Sequence, residues 1–229
     1  MAPPEASLPA LSLIIPTLDS VDCLAPCLRS FPADDIEVII VDGGSRDGTQ
    51  AHADSLGARV LMSAPGRGAQ LMAGAAAARG RWLLFLHADT RLSKGWWETA
   101  KDFMAAAGEN RAGYFHYALD DDAPAARRLE ALVDWRCRFL GLPYGDQGLL
   151  IAREFYQQLG GFRSMPLMED VEFIRRIGKH RLVMLDAEAM TSAARYRSDG
   201  YLRRSGRNLT CLALYHLGLP ARSLVRLYG

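Results

Sequence analysis

The chain has 229 residues, of which 49% are hydrophobic and 23% charged, and its formal net charge is +1. This length suits one large hydrophobic core, and a mean hydropathy near zero is typical of an ordinary soluble domain. No stretch of 18 uncharged apolar residues is present, which excludes a membrane-spanning helix, and the balanced charge gives no signal for nucleic acid.

Short apolar strands alternate with helices over the first ninety residues. The strands are apolar throughout, which predicts a parallel sheet covered on both faces and an α/β fold. The alanine-rich third helix is predicted to end with Gly80 as its C-cap. The predicted strands are 11–16, 36–45, 58–63 and 81–89, and the predicted helices are 20–31, 47–56 and 68–80.

The rhythm changes after residue 110, where strands and helices no longer alternate regularly. Acidic residues in "DDDAP" precede a helix with apolar residues at helical spacing. Nothing resembles a linker or an internal repeat, so we expect one domain spanning 1–229. The predicted strands here are 112–119, 148–152 and 181–187, and the predicted helices are 125–140, 171–177, 202–217 and 221–227.

Polar residues collect where three predicted parallel strands end. The first strand is followed by Thr17 and Asp19, the second ends at Asp42, and the fourth ends in "FLHADT" with His87 and Asp89. Ligands of open α/β sheets bind at the carboxyl ends of the strands. Residues two apart on a strand share a face, and an imidazole with a carboxylate suits Mn²⁺ or Mg²⁺ bridging a diphosphate.

Other nucleotide-binding signatures are absent. "GRGAQL" lacks the third glycine of a dinucleotide-binding fingerprint, and no P-loop is present. The fragments "LSLIIPTLDS", "IEVIIVDGGSRDGT", "GRGAQLMAG", "LLFLHADT", "GGF" and "LMEDVEF" follow one another in the order and spacing of family 2 glycosyltransferases. The resemblance covers about residues 10 to 180. It implies a GT-A fold, a mixed and mostly parallel sheet with C-terminal helices, and an inverting enzyme that uses a nucleotide-diphosphate sugar.

The resemblance divides the domain into a nucleotide-binding half (10–110), an acceptor and catalytic half (111–190), and an arginine-rich loop with C-terminal helices (191–229). Within the first half, Asp42 matches a carboxylate that would accept a hydrogen bond from uracil, which favours a UDP-sugar. The nucleotide-binding residues implied in this way are Pro16, Thr17, Asp19, Asp42, Gly44, Arg67, Gln70, His87 and Ala88.

The same resemblance assigns the chemistry. Asp89 matches the metal-binding acid of the family's D-x-D motif, and His87 replaces its first acid and is a second candidate ligand. Asp170 matches the catalytic base, with Glu169 as its helper, although both acids also suit a plain helix start. The remaining site residues implied are Asp146 and Gln147 for sugar or acceptor, and Arg195 and Arg197, on a shared face if extended, for the diphosphate.

Localisation and partners are expectations of the same kind. The first ten residues lack the pattern of a signal peptide, and four cysteines without a redox or zinc spacing indicate reduced, buried thiols in the cytoplasm. The C-terminal arginines and leucines favour contact with the inner face of a membrane, or packing against the domain or a second copy as a homodimer. A compact domain leans towards a small or lipid-linked acceptor.

Three alternatives concern subgroup and activity. "HADT", "GDQG" and "TSAARY" resemble a small bacterial subgroup associated with radical-SAM genes and arsenosugar synthesis. An inactive descendant that holds a nucleotide-sugar without turnover stays open, because His87 departs from the family pattern. A nucleotidyltransferase also stays open, although "IIPTLDS" is not its glycine-rich signature.

Overall fold

The computed structural model describes residues 8–31, 36–106, 108 and 110–228. Residues 1–7, on which the signal-peptide argument partly rests, lie outside this range. The strands are β1 (Leu11–Thr17), β2 (Ile36–Asp42), β3 (Arg59–Met62), β4 (Trp82–Phe85), β5 (Thr90–Leu92), β6 (Ala112–Leu119), β7 (Leu149–Ala152) and β8 (Leu182–Thr191). The helices are α1 (Val21–Leu28), α2 (Thr49–Ser55), α3 (Arg67–Ala77), α4 (Trp96–Ala106), α5 (Pro124–Leu140), α6 (Arg153–Gln158), α7 (Glu169–Ile177), α8 (Ala194–Asp199), α9 (Tyr201–His216) and α10 (Ala221–Tyr228).

All eight strands form one mixed sheet in the order β3-β2-β1-β4-β7-β6-β8-β5. The pairs β1–β2, β2–β3 and β1–β4 are parallel, as the apolar runs predict. In the second half β7 is antiparallel to both β4 and β6, while β6 and β8 are parallel. The order reverses at β1, whose neighbours β2 and β4 lead to opposite edges of the sheet. A crevice opens at the carboxyl end of such a reversal.

The core lies on the central strands. Leu13 and Ile14 of β1, Ile40 of β2 and Leu84 of β4 are fully buried, as is Phe115 of β6. These strands carry apolar residues on both faces because helices cover both faces. No helix in the described part of the chain has the length and apolar character needed to cross a bilayer.

Several sequence-based boundaries were wrong for identifiable reasons. The C-cap of α3 is Ala78, not Gly80. A Cβ at Gly80 would lie 2.6 Å from the backbone nitrogen of Ser12, so this glycine permits close approach of two chain segments. The short strand β5 and helices α4 and α6 were not predicted. The start of the arginine-rich segment is helical in α8 (Ala194–Asp199), where the sequence suggested a loop.

Candidate active site

A cleft of about 690 Å³ lies at the reversal point of the sheet. Its walls come from the residues that follow β1, from the start of α3, and from the segment that follows β4. A cleft of this size accommodates a nucleotide-sized ligand. Its lining includes Pro16, Thr17, Asp19, Arg67, Gln70, His87, Ala88 and Asp89 among the residues expected from the sequence.

A smaller cavity of about 140 Å³ adjoins this cleft. The two share Arg67, His87, Asp89, Arg195 and Arg204 as lining residues. The inner cavity adds the acidic residues expected from the second half of the chain, and side chains from α9. These further lining residues include Tyr144, Asp146, Asp170, Asn208 and Leu212.

The backbone that carries His87 and Asp89 differs from the prediction. Strand β4 ends at Phe85, and Asp89 lies in a turn, so strand alternation does not bring the two side chains together. Both nevertheless line the cleft and the cavity. Burial lowers the pKa of His87 well below its ordinary value, and the charges of Arg67 and Arg195 lower it further. The imidazole is therefore neutral, the form that binds a metal.

The surroundings of Asp42 give this residue a structural role. The residue is fully buried, and its carboxylate accepts hydrogen bonds from Thr17 Oγ1, the backbone nitrogens of Gly44 and Ser45, Ser45 Oγ and Gln50 Nε2. Such bonds hold its pKa below the ordinary value against the opposing effect of burial. Asp42 organises the loop after β2 and is not among the residues that line the cleft, and its expected contact with uracil stays a prediction.

Two amide side chains also have structural partners. Gln70 Nε2 donates to the carbonyl oxygens of Thr17 and Val41 at 2.7 and 2.8 Å, which ties α3 to the ends of β1 and β2. Gln147 is 1% exposed, and its Oε1 accepts from Arg136 while its Nε2 donates to a backbone carbonyl. The structure thus gives Gln147 a structural role, and its expected sugar contact stays a prediction.

The two adjacent acids at the start of α7 diverge. Asp170 faces the inner cavity, and its Oδ2 accepts a hydrogen bond from the backbone nitrogen of Gly145 at 2.9 Å. Glu169 is buried, and its Oε1 lies 3.3 Å from Nη1 of Arg67. Burial raises the pKa of Glu169, and the neighbouring charge of Asp170 raises it further.

The two expected diphosphate arginines lie on different sides of α8. Arg195 lines both the cleft and the cavity, whereas Arg197 forms ion pairs with Asp120 and Asp121 outside them. Residues two apart on a helix are separated by about 200°, so they share a face only in an extended segment. Arg204 of α9 lines both spaces instead.

Three buried polar atoms around the inner cavity have no hydrogen-bond partner within the described residues: the Tyr144 hydroxyl, Asp146 Oδ1 and Asn208 Oδ1. Burial raises the pKa of Asp146 to about 6 despite the lowering effect of Arg136, and Asp170 contributes to the rise. Unsatisfied buried groups indicate a missing partner. Of these three, the sequence predicted only Asp146. The other two are neighbours of motifs that the sequence analysis identified. Tyr144 directly precedes "GDQG", and Asn208 is the last residue of the arginine-rich stretch.

Backbone strain marks both ends of the site. Among the described residues, only Asp19 and Met168 adopt positive φ angles without being glycine, at 47° and 65°. Asp19 lines the cleft after β1, and Met168 directly precedes Glu169 and Asp170. Such conformations cost about 1 kcal/mol or more and concentrate at functional sites.

The metal candidates are few. Across residues 8–31, 36–106, 108 and 110–228, no three His, Cys, Asp or Glu side chains cluster in a way that alone would hold a metal ion. Asp89 and His87 offer one carboxylate and one neutral imidazole at the junction of the two spaces. This donor set fits an ion that takes its other ligands from a diphosphate and water, which is how Mg²⁺ and Mn²⁺ commonly bind beside phosphates.

Comparison with known proteins identifies the family. Residues 12–157 match the model described as glycosyl transferase family 2. The chain belongs to this family. A PGL/p-HBAD biosynthesis glycosyltransferase of Mycobacterium bovis is 38% identical over 118 residues, which cover 44% of this chain and 43% of the relative. This family 2 glycosyltransferase thus matches less than half the length of that relative.

Solved structures confirm the GT-A fold. A mannosyltransferase from Pyrobaculum calidifontis in complex with GDP-Man and Mn²⁺ superposes with a TM-score of 0.66 at 17% identity, over 90% of this chain and 62% of the other. Glucosyl-3-phosphoglycerate synthase from Mycobacterium tuberculosis, in complex with Mn²⁺ and UDP-Glc, gives 0.61 at 20% identity, over 92% of this chain and 80% of the other.

Proposed function

We propose that this family 2 glycosyltransferase transfers a sugar from a nucleoside-diphosphate sugar to a hydroxyl acceptor, with inversion and with Asp170 as the general base. The observation that carries the proposal is the position of Asp170. Its carboxylate faces a cavity that opens into the cleft at the sheet reversal, with His87 and Asp89 at the junction. A donor in the cleft would present its sugar to that cavity.

The surroundings of Asp170 suit a base. The Gly145 N–H fixes Oδ2, and the ordering of the 145–147 turn therefore fixes the carboxylate. The acceptor hydroxyl must lose a proton as it attacks the anomeric carbon from the side opposite the leaving diphosphate. Glu169 acts as the helper by holding Arg67 in the cleft through their ion pair.

Three arginines give the leaving diphosphate its counter-charge. Arg67 lies in the first turn of α3, where the positive end of the helix also favours an anion, and Arg195 and Arg204 complete the set. Asp89, with His87, would hold Mn²⁺ or Mg²⁺. When bound, this cation supplies further neutralisation of the charge that develops on the diphosphate.

The inner cavity is proposed as the site of the transferred sugar and the acceptor hydroxyl. Asp146 Oδ1 and Asn208 Oδ1 are hydrogen-bond acceptors, and the Tyr144 hydroxyl can donate or accept. A ligand with several hydroxyl groups would supply the partners that these atoms lack. Leu212 also lines the cavity and adds an apolar contact, which a sugar ring or the stem of a lipid-linked or small acceptor can use.

We propose a UDP-sugar as the donor. UDP-Glc is bound by the M. tuberculosis synthase, which shares the fold over 92% of this chain, whereas the Pyrobaculum enzyme binds GDP-Man. A cytoplasmic location, where such donors occur, is part of this proposal.

Calorimetric titration tests the donor site. UDP and GDP are titrated with and without Mn²⁺ into wild type, Asp89→Ala and the exposed control Asp54→Asn. We expect Mn²⁺-dependent binding of UDP, lost in Asp89→Ala and kept in the control. Binding that does not depend on Mn²⁺ contradicts the metal part of the proposal. Tighter binding of GDP than of UDP contradicts the UDP part.

Release of UDP in the presence of acceptor tests the chemistry. Asp170→Asn is expected to bind donor normally and to lose turnover by about 100-fold or more, because the acceptor proton then has no base. Turnover at the wild-type rate would remove Asp170 from this role. Donor binding by the wild type without turnover on any hydroxyl acceptor would favour the rival function, a nucleotide-sugar-binding protein.

A further inference from the structure

Helix α9 places polar residues inward in its first half and exposes apolar residues along its outer side. Arg204 and Cys211 on its inner side are 8% and 0% exposed, and Asn208 on the same side lines the cavity. Its outer side carries Leu202 and Leu209, which are 92% and 67% exposed. A helix on the surface of a soluble domain normally does the opposite, with its apolar stripe against the core.

The exposed residues form one continuous stripe. Leu202, Gly206, Leu209, Ala213 and Leu217 are spaced by four, three, four and four positions, so they share one side of the helix, and all five are exposed. The stripe spans about 22 Å at 1.5 Å per residue. Single exposed leucines are ordinary, whereas a charge-free apolar stripe of this length indicates a partner surface.

Helix α10 and the connection before it also expose apolar residues. Leu224 of α10 packs in a small core with Cys211 of α9, which joins the two helices. Leu219 in the connection and Leu227 of α10 are 39% and 43% exposed, whereas the exposed Val225 lines the cleft. We call the exposed stripe of α9, with Leu219 and Leu227, the outer face.

The charged residues of α9 and α10 are all arginines. Arg203, Arg222 and Arg226 are exposed, and no aspartate or glutamate occurs in the sequence from Gly200 onwards. A two-fold contact with a second copy would place these arginines near their own symmetry mates, which costs energy. An apolar stripe with arginines and without acids matches an anionic bilayer surface, which takes up the leucines and attracts the cations.

We propose that the outer face of α9 and α10 docks in the plane of an anionic lipid bilayer. Residues of the stripe enter the boundary between head groups and acyl chains, and the arginines contact lipid phosphates. The proposal concerns the surface alone and does not depend on the transferase activity.

Vesicle co-sedimentation of the full chain tests this docking. Vesicles of phosphatidylcholine with about 30% phosphatidylserine are compared with pure phosphatidylcholine. We expect the protein to sediment with the anionic vesicles, less with the neutral ones, and less as salt is raised, because salt screens the arginines.

Two pairs of substitutions separate the outer face from general hydrophobicity. Leu202→Gln with Leu209→Gln should weaken partitioning at least tenfold. The matched control, Leu56→Gln with Met62→Gln, removes two exposed apolar side chains from the other end of the chain and should leave partitioning unchanged. Circular dichroism and thermal melting verify that both double variants are folded.

Clear outcomes would overturn the proposal. Wild type that stays in the supernatant with anionic vesicles refutes it, and so does equal partitioning of both double variants. If wild type ignores vesicles but dimerises in sedimentation velocity, and the Leu202/Leu209 variant is monomeric, the outer face is a subunit interface and the membrane proposal is wrong.

Discussion

Replacing Asp146 with asparagine should stabilise the fold and at the same time impair the proposed sugar transfer. Its Oδ1 has no solvent contact and no hydrogen-bond partner in the described structure, although the residue as a whole is only partly buried. Burial raises its pKa from an ordinary 3.8 to about 6. The folded state thus disfavours the ionised carboxylate. Replacing it with asparagine should stabilise the fold at neutral pH.

The magnitude follows from linkage. For an acid whose folded pKa is raised, the cost is absent below the unfolded value, grows between pH 3.8 and about 6, and is complete above that. At about 1.4 kcal/mol per pH unit, the full cost is about 3 kcal/mol, an upper bound because the residue is partly exposed. Asp146→Asn should therefore gain up to about 3 kcal/mol at pH 7.5 relative to pH 4.

Urea unfolding, followed by tryptophan fluorescence in metal-free buffer, measures this difference from pH 4 to 8. The pH dependence isolates the charge, because packing differences between the two side chains are present at every pH. Asp54→Asn, at an exposed aspartate outside the cavity, serves as the comparison. A wild-type minus Asp146→Asn difference that stays flat, or that favours wild type as pH rises, refutes the reasoning. The stabilised variant should also lose sugar transfer.

Other side chains of the site give three further predictions. Gly145→Ala would place a Cβ 2.7 Å from Nε2 of His87, and displacing this ring should lower turnover by on the order of 100-fold, measured as UDP release. Asp42→Asn should lower the free energy of unfolding by about 3 kcal/mol while leaving the UDP-to-GDP affinity ratio unchanged, measured by urea unfolding and calorimetry. Arg195→Ala should weaken UDP binding roughly tenfold, whereas Arg197→Ala should leave it unchanged.

Each of these three predictions has a result that would contradict it. Normal turnover in Gly145→Ala would mean that His87 is not held against this glycine. A changed UDP-to-GDP preference in Asp42→Asn would support the predicted contact of Asp42 with the nucleobase. Equal losses in the two arginine variants would mean that α8 unwinds to an extended segment when the donor binds.

The sequence predicted the first half of the fold well, because there the physical signal is local. Apolar runs such as 11–16 and 36–42 must be covered on both faces, which predicts parallel strands with helices between them. Strand β5 has three residues and gave no periodic signal. The antiparallel placement of β7 depends on long-range packing, which no local pattern encodes.

Side-chain direction limited the prediction of the site. Asp42 and Asp89 both follow apolar strands, yet one binds its own loop and the other faces the cleft. Arg197 was paired with Arg195 on the assumption of an extended chain, and the helix separates them. Asn208 reaches the cavity only because α9 packs across it, a tertiary contact without a local sequence signal.

The left-handed backbone at Asp19 and Met168 has a consequence for how the enzyme meets its substrates. The positive φ angles of both residues cost free energy when the chain folds, before any ligand binds. The carboxylates at these two points are therefore already positioned, so a ligand does not have to order them when it binds. Glycine at position 168 would relieve the strain and widen the conformational range of Asp170, so a gain in folding stability there would come with slower proton transfer to the base that we propose.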